Sequence, residues 1–268
     1  MEWNEVLRVG LEAARGAAKI HQQHVGRVRP EDWTHKGSAD FVSYVDHEAE
    51  RSIVQHILTA FPAHDVLAEE SVADHQTGAH WAQREWVWLV DPLDGTTNFL
   101  HSYPVYSASV AVAHCGQLVA AAVVSGPTGQ EWCAALGQGA THNQQPIRVS
   151  TTEQLPAALI GTGFPFKNLH LLPGYLNQFD SVMRHTSGVR RAGSASLDLC
   201  HVASGHFDGF WELDLFPWDM AAGALLVREA GGVITTMAGP FNPFERSSVL
   251  AGNPVIHDAL HNLLLRSS

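Results

Sequence analysis

The stretch Asp91-Pro92-Leu93-Asp94-Gly95-Thr96-Thr97-Asn98-Phe99 holds the densest chemistry in the chain. It follows the apolar run Trp86-Val87-Trp88-Leu89-Val90, which reads as a strand delivering Asp91 at its carboxyl end. Pro92 stiffens the turn, and Asp94, three residues on, brings a second carboxylate toward the same point. Gly95 has no Cβ and lets backbone approach a ligand closely. Thr96-Thr97-Asn98 open a short helix whose free N–H groups and positive dipole end suit a phosphate. The alternative is an Asx-turn with a helix cap, in which Asp and Gly serve only the backbone. Two further acidic features change the balance. Val66-Leu67-Ala68 ends in Glu69-Glu70, and Phe216-Pro217-Trp218-Asp219 puts Asp219 in the first turn of a helix. Alone, these are a solvated strand end and a dipole-complementing cap. Arriving together at element ends, they form an oxygen-only set suited to Mg²⁺ or Mn²⁺ rather than zinc. Four carboxylates around one cavity would repel one another without cations. Two divalent ions there would activate a water, bind phosphoryl oxygens and stabilise a leaving alkoxide.

Composition sets the frame. Of 268 residues, 16 are Lys or Arg and 27 Asp or Glu, a formal charge of −11 that disfavours non-specific nucleic-acid binding and anionic lipid. A phosphorylated ligand would need local compensation, which metal-bound carboxylates supply. The apolar fraction of 45% is enough for a substantial core. Cys115, Cys133 and Cys200 form no CxxC, which points to a reducing compartment and to small buried apolar roles. The acidic start lacks signal-peptide character, and no run approaches the roughly 20 apolar residues of a membrane span, so the expected location is cytoplasmic. The 17 histidines outnumber Lys and Arg together, yet no HExxH occurs. His21 and His24 share a helix face at i, i+3, where a transition metal could bind, but solvent-facing rings are the expectation. Arg184, Arg190 and Arg191 form a local basic cluster, read as ordinary surface or a subunit contact.

The elements that must position the acids follow from periodicity. Val6, Leu7, Leu11, Ala14, Ala17 and Ala18 mark an amphipathic helix ending near Gly26. Residues 31–41 read as a polar loop, and Val45, Ala49, Ile53 and Ile57 as one face of a second helix. Strands are expected at 66–68, 86–90, 105–113, 118–125 and 131–136. The later half reads as α/β: strands at 157–162, 209–213, 233–236 and 248–251, and helices at 173–185, 194–203, 217–230 and 254–265. Residues 1–146 form one half carrying the acid motif and 147–268 a second half closing the site. Layered helix and sheet, mostly antiparallel first and mixed later, fit an α/β sandwich and not a TIM barrel.

On Asp91–Phe99 and on PWDMAAGALLVREAGG at 217–232 the chain resembles the inositol monophosphatase family of magnesium-dependent, lithium-sensitive phosphatases. Glu69-Glu70-Ser71, Lys36 with Asp40 and Asp46, and Gly193-Ser194-Ala195 with Glu212 add weaker support. The resemblance implies a layered αβαβα sandwich, a homodimer, and hydrolysis of inositol 1-phosphate or a similar small polyol phosphate by metal-activated water without a phosphoenzyme. It implies two to three Mg²⁺, with Mn²⁺ an alternative. Glu69, Asp91 and the Leu93 carbonyl would hold one ion. Asp91, Asp94 and Asp219 would hold the second, and Glu69 would help hold a third through water. Asp46, Glu69 and Thr96 would be the catalytic residues, the Thr96 hydroxyl orienting the water with support from Asp46. Gly95 and Thr96 amides would meet the phosphate. Glu69, Leu93, Asp94 and Asp219 would also border the substrate, and Gly193, Ser194, Ala195 and Glu212 would line the alcohol side. Glu70 would be a supporting residue. Phe216 stands where some members have histidine, and Asn143-Gln144-Gln145-Pro146 lacks a glycine common in that turn.

Rival readings are weaker. The haloacid-dehalogenase arrangement separates its acids by one residue, whereas Pro92 and Leu93 intervene here. Gly95-Thr96-Thr97 lacks the P-loop lysine, and Gly193-Ser194-Ala195-Ser196 is not a nucleophile elbow. Within the family, phosphatases of fructose 1,6-bisphosphate, histidinol phosphate and 3′-phosphonucleotides share the metal motifs, so these motifs leave the substrate open. A relative also serves in transcription antitermination, which leaves a regulatory role open as well and, through it, contact with a transcription complex.

Overall fold

In the computed structural model, which describes residues 3–37, 40–72 and 78–267, the first apolar stripe becomes helix α1, Trp3–His24, and the second becomes α2, Tyr44–Ala60. Ser43 starts α2 as a capping box: its hydroxyl accepts from the Val45 N–H at 3.2 Å, and Asp46 Oδ2 accepts from the Ser43 N–H at 2.8 Å. The segment expected as a loop instead holds the antiparallel pair β1, Thr34–Gly37, and β2, Asp40–Val42. Thr34-His35-Lys36 offers no apolar alternation, so pairing there left no trace in the pattern.

Among the described residues, β3 (Asp65–Ala68), β4 (Trp86–Asp94), β5 (Ser107–His114), β6 (Gln117–Ser125), β7 (Glu131–Ala135), β8 (Gly139–His142) and β9 (Gln145–Ile147) build one sheet in sequential order. β3 runs parallel to β4 and every other neighbour is antiparallel. The short helix α3, Thr96–Leu100, leaves the end of β4. β8 and β9 were not anticipated. Asn143 and Gln144, at φ 48° and 66°, make the turn between them, and a glutamine there gives no hairpin signal. Alternation buries both faces of the sheet. Val87, Leu89, Ala111 and Val123 point to one side, and Trp88, Val90, Val110 and Val124 point to α1 and α2 on the other.

The second sheet is mixed, with strands β10 (Leu159–Thr162), β11 (Gly188–Arg190), β12 (Gly209–Leu215), β13 (Val233–Thr235) and β14 (Ser247–Gly252) in the order β11-β10-β12-β14-β13. Helices α5, Ala195–Ala203, and α6, Pro217–Glu229, lie between the two sheets. Every residue of α6 from Met220 to Val227 is buried, as a helix apolar all round must be. Helices α4, Leu172–His185, and α7, Pro254–Leu265, cover the outer face of the second sheet. The layers therefore run αβαβα, the expected sandwich. Of the cysteines, Cys200 is buried and Cys133 partly so, but Cys115 is exposed at the β5–β6 turn, against expectation. Among the described residues no helix is long and apolar enough to cross a membrane.

Candidate active site

β4 shifts register between Asp91, paired with Ser109, and Asp94, paired with Ser107, so the two acids flank an irregular step in the strand. Asp91 Oδ1 accepts from the Leu93 N–H at 3.0 Å, so the Asx-turn reading is true of this residue as well. β3 ends beside it: the Glu69 N–H donates to the Val90 carbonyl at 3.1 Å, which releases Glu69 from the sheet next to Asp91. Gly95 lies at φ 90°, and a Cβ there would stand 2.9 Å from the Val105 carbonyl oxygen, so only glycine fits. From the other half, α6 delivers Asp219, whose Oδ2 accepts from the Phe216 N–H at 2.8 Å. Glu69, Asp91, Leu93, Asp94, Gly95 and Thr96 line one cavity of about 390 Å³ with Gly193, Ala195, Glu212 and Asp219.

Two expected residues do not line it. Asp46, 1% exposed, lies behind the wall and reaches the site through Thr96, whose hydroxyl is 3.0 Å from Asp46 Oδ1 and 2.9 Å from the Leu93 carbonyl. One hydroxyl proton cannot fill both contacts; a proton on Asp46 makes both of them hydrogen bonds. Ser194 is turned inward. Its hydroxyl donates to Asp94 Oδ2 at 2.6 Å and accepts from Leu197 N–H at the start of α5. Ser196 adds its amide at 2.8 Å and its hydroxyl at 2.5 Å to the same oxygen. Since the Ser196 proton is thereby committed, Ser107, at 2.7 Å, donates to Ser196. Three donors thus fix one oxygen of Asp94. Glu70 is outside the cavity lining, with its amide on Glu50 Oε2 at 2.6 Å. The Lys36 and Asp40 side chains fall outside the described residues.

The electrostatics follow from burial and crowding. Burial raises the Asp91 carboxyl well above the ordinary range, and Glu69, Asp94 and Asp219 push it further. Burial also raises Asp94, against the pull of the two serines. Asp219 is pushed to about 7 by burial and then by Glu69, and Asp46 to about 6, mainly by burial. Glu212 reaches about 8 by burial, although Arg191 opposes it. Acids held together at such a disadvantage fit a hard divalent cation, which would remove the repulsion and accept oxygen donors only. Among the described residues no group of three His, Cys, Asp or Glu side chains is already closed around an ion position.

The sequence matches the model of the inositol monophosphatase family over residues 2–268. The chain belongs to the inositol monophosphatase family. An inositol-1-monophosphatase of Rhizobium meliloti (strain 1021) is 42% identical over 99% of this chain and 98% of its own. The Nus factor SuhB of Pseudomonas aeruginosa is 40% identical, over 95% of this chain and 94% of its own. Among solved structures, the inositol monophosphatase of Anabaena (Nostoc) sp. PCC 7120 superposes with a TM-score of 0.86 at 33% identity, over 100% of this chain and 98% of its own. Membership in the inositol monophosphatase family supports a phosphatase, a metal requirement and a small phosphorylated substrate.

Against that family background, the cavity wall contains residues that the sequence did not assign to the site. Phe164, Phe166, Lys167 and Arg191 all line it. The Arg191 guanidinium lies over both rings, 5.2 Å from the Phe164 centroid and 5.1 Å from that of Phe166, so this residue, exposed as expected, also lines the cavity. Phe216 stacks on Trp218 at 4.9 Å and carries Arg246 at 4.1 Å on its ring. A usable signal existed for Phe164–Lys167: they follow the carboxyl end of β10, where α/β sheets hold ligands. Ser196 gave no such signal.

Proposed function

We propose that the chain is a Mg²⁺-dependent phosphomonoesterase that releases inorganic phosphate from inositol 1-phosphate or a similar small polyol phosphate. The observation that carries this is the meeting of Glu69, Asp91 and Asp94, from the ends of two neighbouring strands of one sheet, with Asp219, from α6, on one cavity. Glu69, Asp91 and the Leu93 carbonyl would hold one cation, and Asp91, Asp94 and Asp219 a second. When bound, the cations neutralise the acids, offset phosphoryl charge and lower the pKa of water. The chain's own residues do the rest. Asp94, with Oδ2 saturated by the two serines, offers its other oxygen to a cation. Gly95 and Thr96 direct their amides at the phosphoryl oxygens. Thr96 Oγ1, held in place by Asp46, would orient the attacking water, whose proton leaves to solvent. The new P–O bond forms as the ester P–O bond breaks, giving phosphate and, after protonation of the alkoxide by solvent, the alcohol. Glu212, Gly193 and Ala195 face that alcohol. The test is phosphate release with Mg²⁺ from inositol 1-phosphate, fructose 1,6-bisphosphate, histidinol phosphate and a 3′,5′-bisphosphate nucleotide. Turnover highest on the first supports the reading, and turnover on none of them overturns it. A homodimer belongs to the same proposal, checked by sedimentation.

A second reading, a regulatory role in transcription antitermination, draws on the SuhB relatives alone. Loss of turnover with retained binding to a transcription complex would favour it.

A further inference from the structure

His21 does not face solvent. It is 0% exposed, on the inner face of α1, and its Nε2 lies 2.9 Å from the Pro92 carbonyl oxygen. A carbonyl only accepts, so Nε2 carries the proton and donates it, and Nδ1 is the bare nitrogen. Nδ1 is buried with no hydrogen-bond partner among the described residues. Burial pushes the imidazole pKa down to about 4, which keeps the ring neutral in this tautomer. The place is shaped for a ring. Phe99 and Tyr106 lie 6.1 and 5.9 Å away centroid to centroid, and a Cβ on Gly126 would stand 2.3 Å from Tyr106 Cε2 and 3.0 Å from His21 Nδ1.

Its acceptor sits at a critical point. Pro92 and Leu93 fall in the register shift of β4, between the paired positions Asp91 and Asp94. The Pro92 carbonyl and the Leu93 N–H belong to one planar peptide unit. That N–H is the donor to Asp91 Oδ1 at 3.0 Å. A continuous relay therefore runs from His21 Nε2–H through the Pro92–Leu93 peptide to the Asp91 carboxylate, and such chains polarise along their length. Leu93 begins on the far side of the same plane, and its own carbonyl is directed at the Thr96 hydroxyl.

We propose that His21 is a positioning residue for cation binding: by fixing the Pro92–Leu93 peptide it orients the Asp91 carboxylate and the Leu93 carbonyl. This rests on the metal reading above and adds to it a residue from α1, the far end of the amino-terminal half. Outer partners of metal ligands typically set affinity by roughly tenfold or more. The role calls for a donor, not merely for a filled space.

The experiment measures Mg²⁺ affinity by calorimetry for the unaltered protein, His21→Leu and His21→Gln, together with melting temperature in chelator. His21→Leu fills the space without a donor and is expected to weaken Mg²⁺ about tenfold. His21→Gln, which keeps an N–H at similar reach, should bind within about threefold of the unaltered protein. If His21→Leu lowers only the chelator melting temperature and leaves Mg²⁺ affinity within twofold, the residue is a packing element and the proposal falls. If the unaltered protein itself takes up no Mg²⁺, the metal reading falls and this one with it. A second measurement needs no variant. Nitrogen NMR of the unaltered protein should show His21 as the Nε2–H tautomer, its resonance moving on Mg²⁺ saturation. An Nδ1–H tautomer, or a resonance that does not move, overturns the assignment.

Discussion

Replacing Gly163 by alanine separates recognition of the alcohol from every other task of the site. Gly163 follows β10, and a Cβ there would lie 1.8 Å from Glu212 Oε1, 1.9 Å from Cδ and 2.2 Å from Oε2. Gly163 is not among the residues of positive φ, so the backbone accepts alanine. What must yield is the far end of a flexible side chain, and the change in folding stability is expected within about 1 kcal/mol. Glu212 would be displaced from the cavity wall. Hydrogen bonds from an ionisable carboxyl contribute about 1–3 kcal/mol, which is about fivefold to 150-fold in kcat/KM. The loss should fall mainly on KM, because these contacts exist before the chemical step. The assay compares phosphate release from inositol 1-phosphate and from a simple aryl phosphate without hydroxyls, both at saturating Mg²⁺. Only the first should suffer. An equal fall for both substrates, no fall for either, or a collapse in melting temperature would refute the placement of Glu212 on the alcohol.

Further outcomes are expected. Asp91→Asn should lose several orders of magnitude in turnover, yet melt higher than the unaltered protein in chelator, since it removes a buried charge repelled by Glu69, Asp94 and Asp219; calorimetry and a turnover assay check the two halves. Asn98→Ala should lower stability by about 1 kcal/mol in urea unfolding, because its Nδ2 donates to the part-buried Val105 and Ala192 carbonyls at 2.7 and 2.9 Å. His201, whose pKa burial lowers from 6.5 to about 4, is neutral in the folded state and charged in the unfolded chain between these values. Its contribution is therefore complete above pH 6.5 and lost as pH falls toward 4. Between pH 7 and 5 the unaltered protein should lose at most about 2 kcal/mol more than His201→Gln, read by urea unfolding at fixed Mg²⁺.

What was legible in the sequence came from strong local patterns. The run Trp86–Val90 announced β4 and the placing of Asp91, and Pro217 with Gly231-Gly232 bracketed α6 and Asp219. What escaped depends on contacts far apart in the chain. His21 and Pro92 are 71 positions apart, and Ser196 and Asp94 are 102 apart. No periodicity tells an inward histidine on an alanine-rich helix face from an outward one, and α1 shows the result: the ring expected in water is sealed under Tyr106. β11 and the β8–β9 pair are short and partly exposed, so backbone pairing decides them without an apolar signature. Arg191 is exposed, as its sequence neighbours suggested, and only its place on the cavity escaped, because its ring partners come from residues 164 and 166.

The three donors on Asp94 Oδ2 all come from residues a hundred positions downstream. A nascent chain that has emerged only as far as residue 150 would already carry Glu69, Asp91 and Asp94, but neither the serines that restrain one of them nor Asp219. The proposed cation site therefore cannot assemble until Asp219, in the last third of the chain, has been translated.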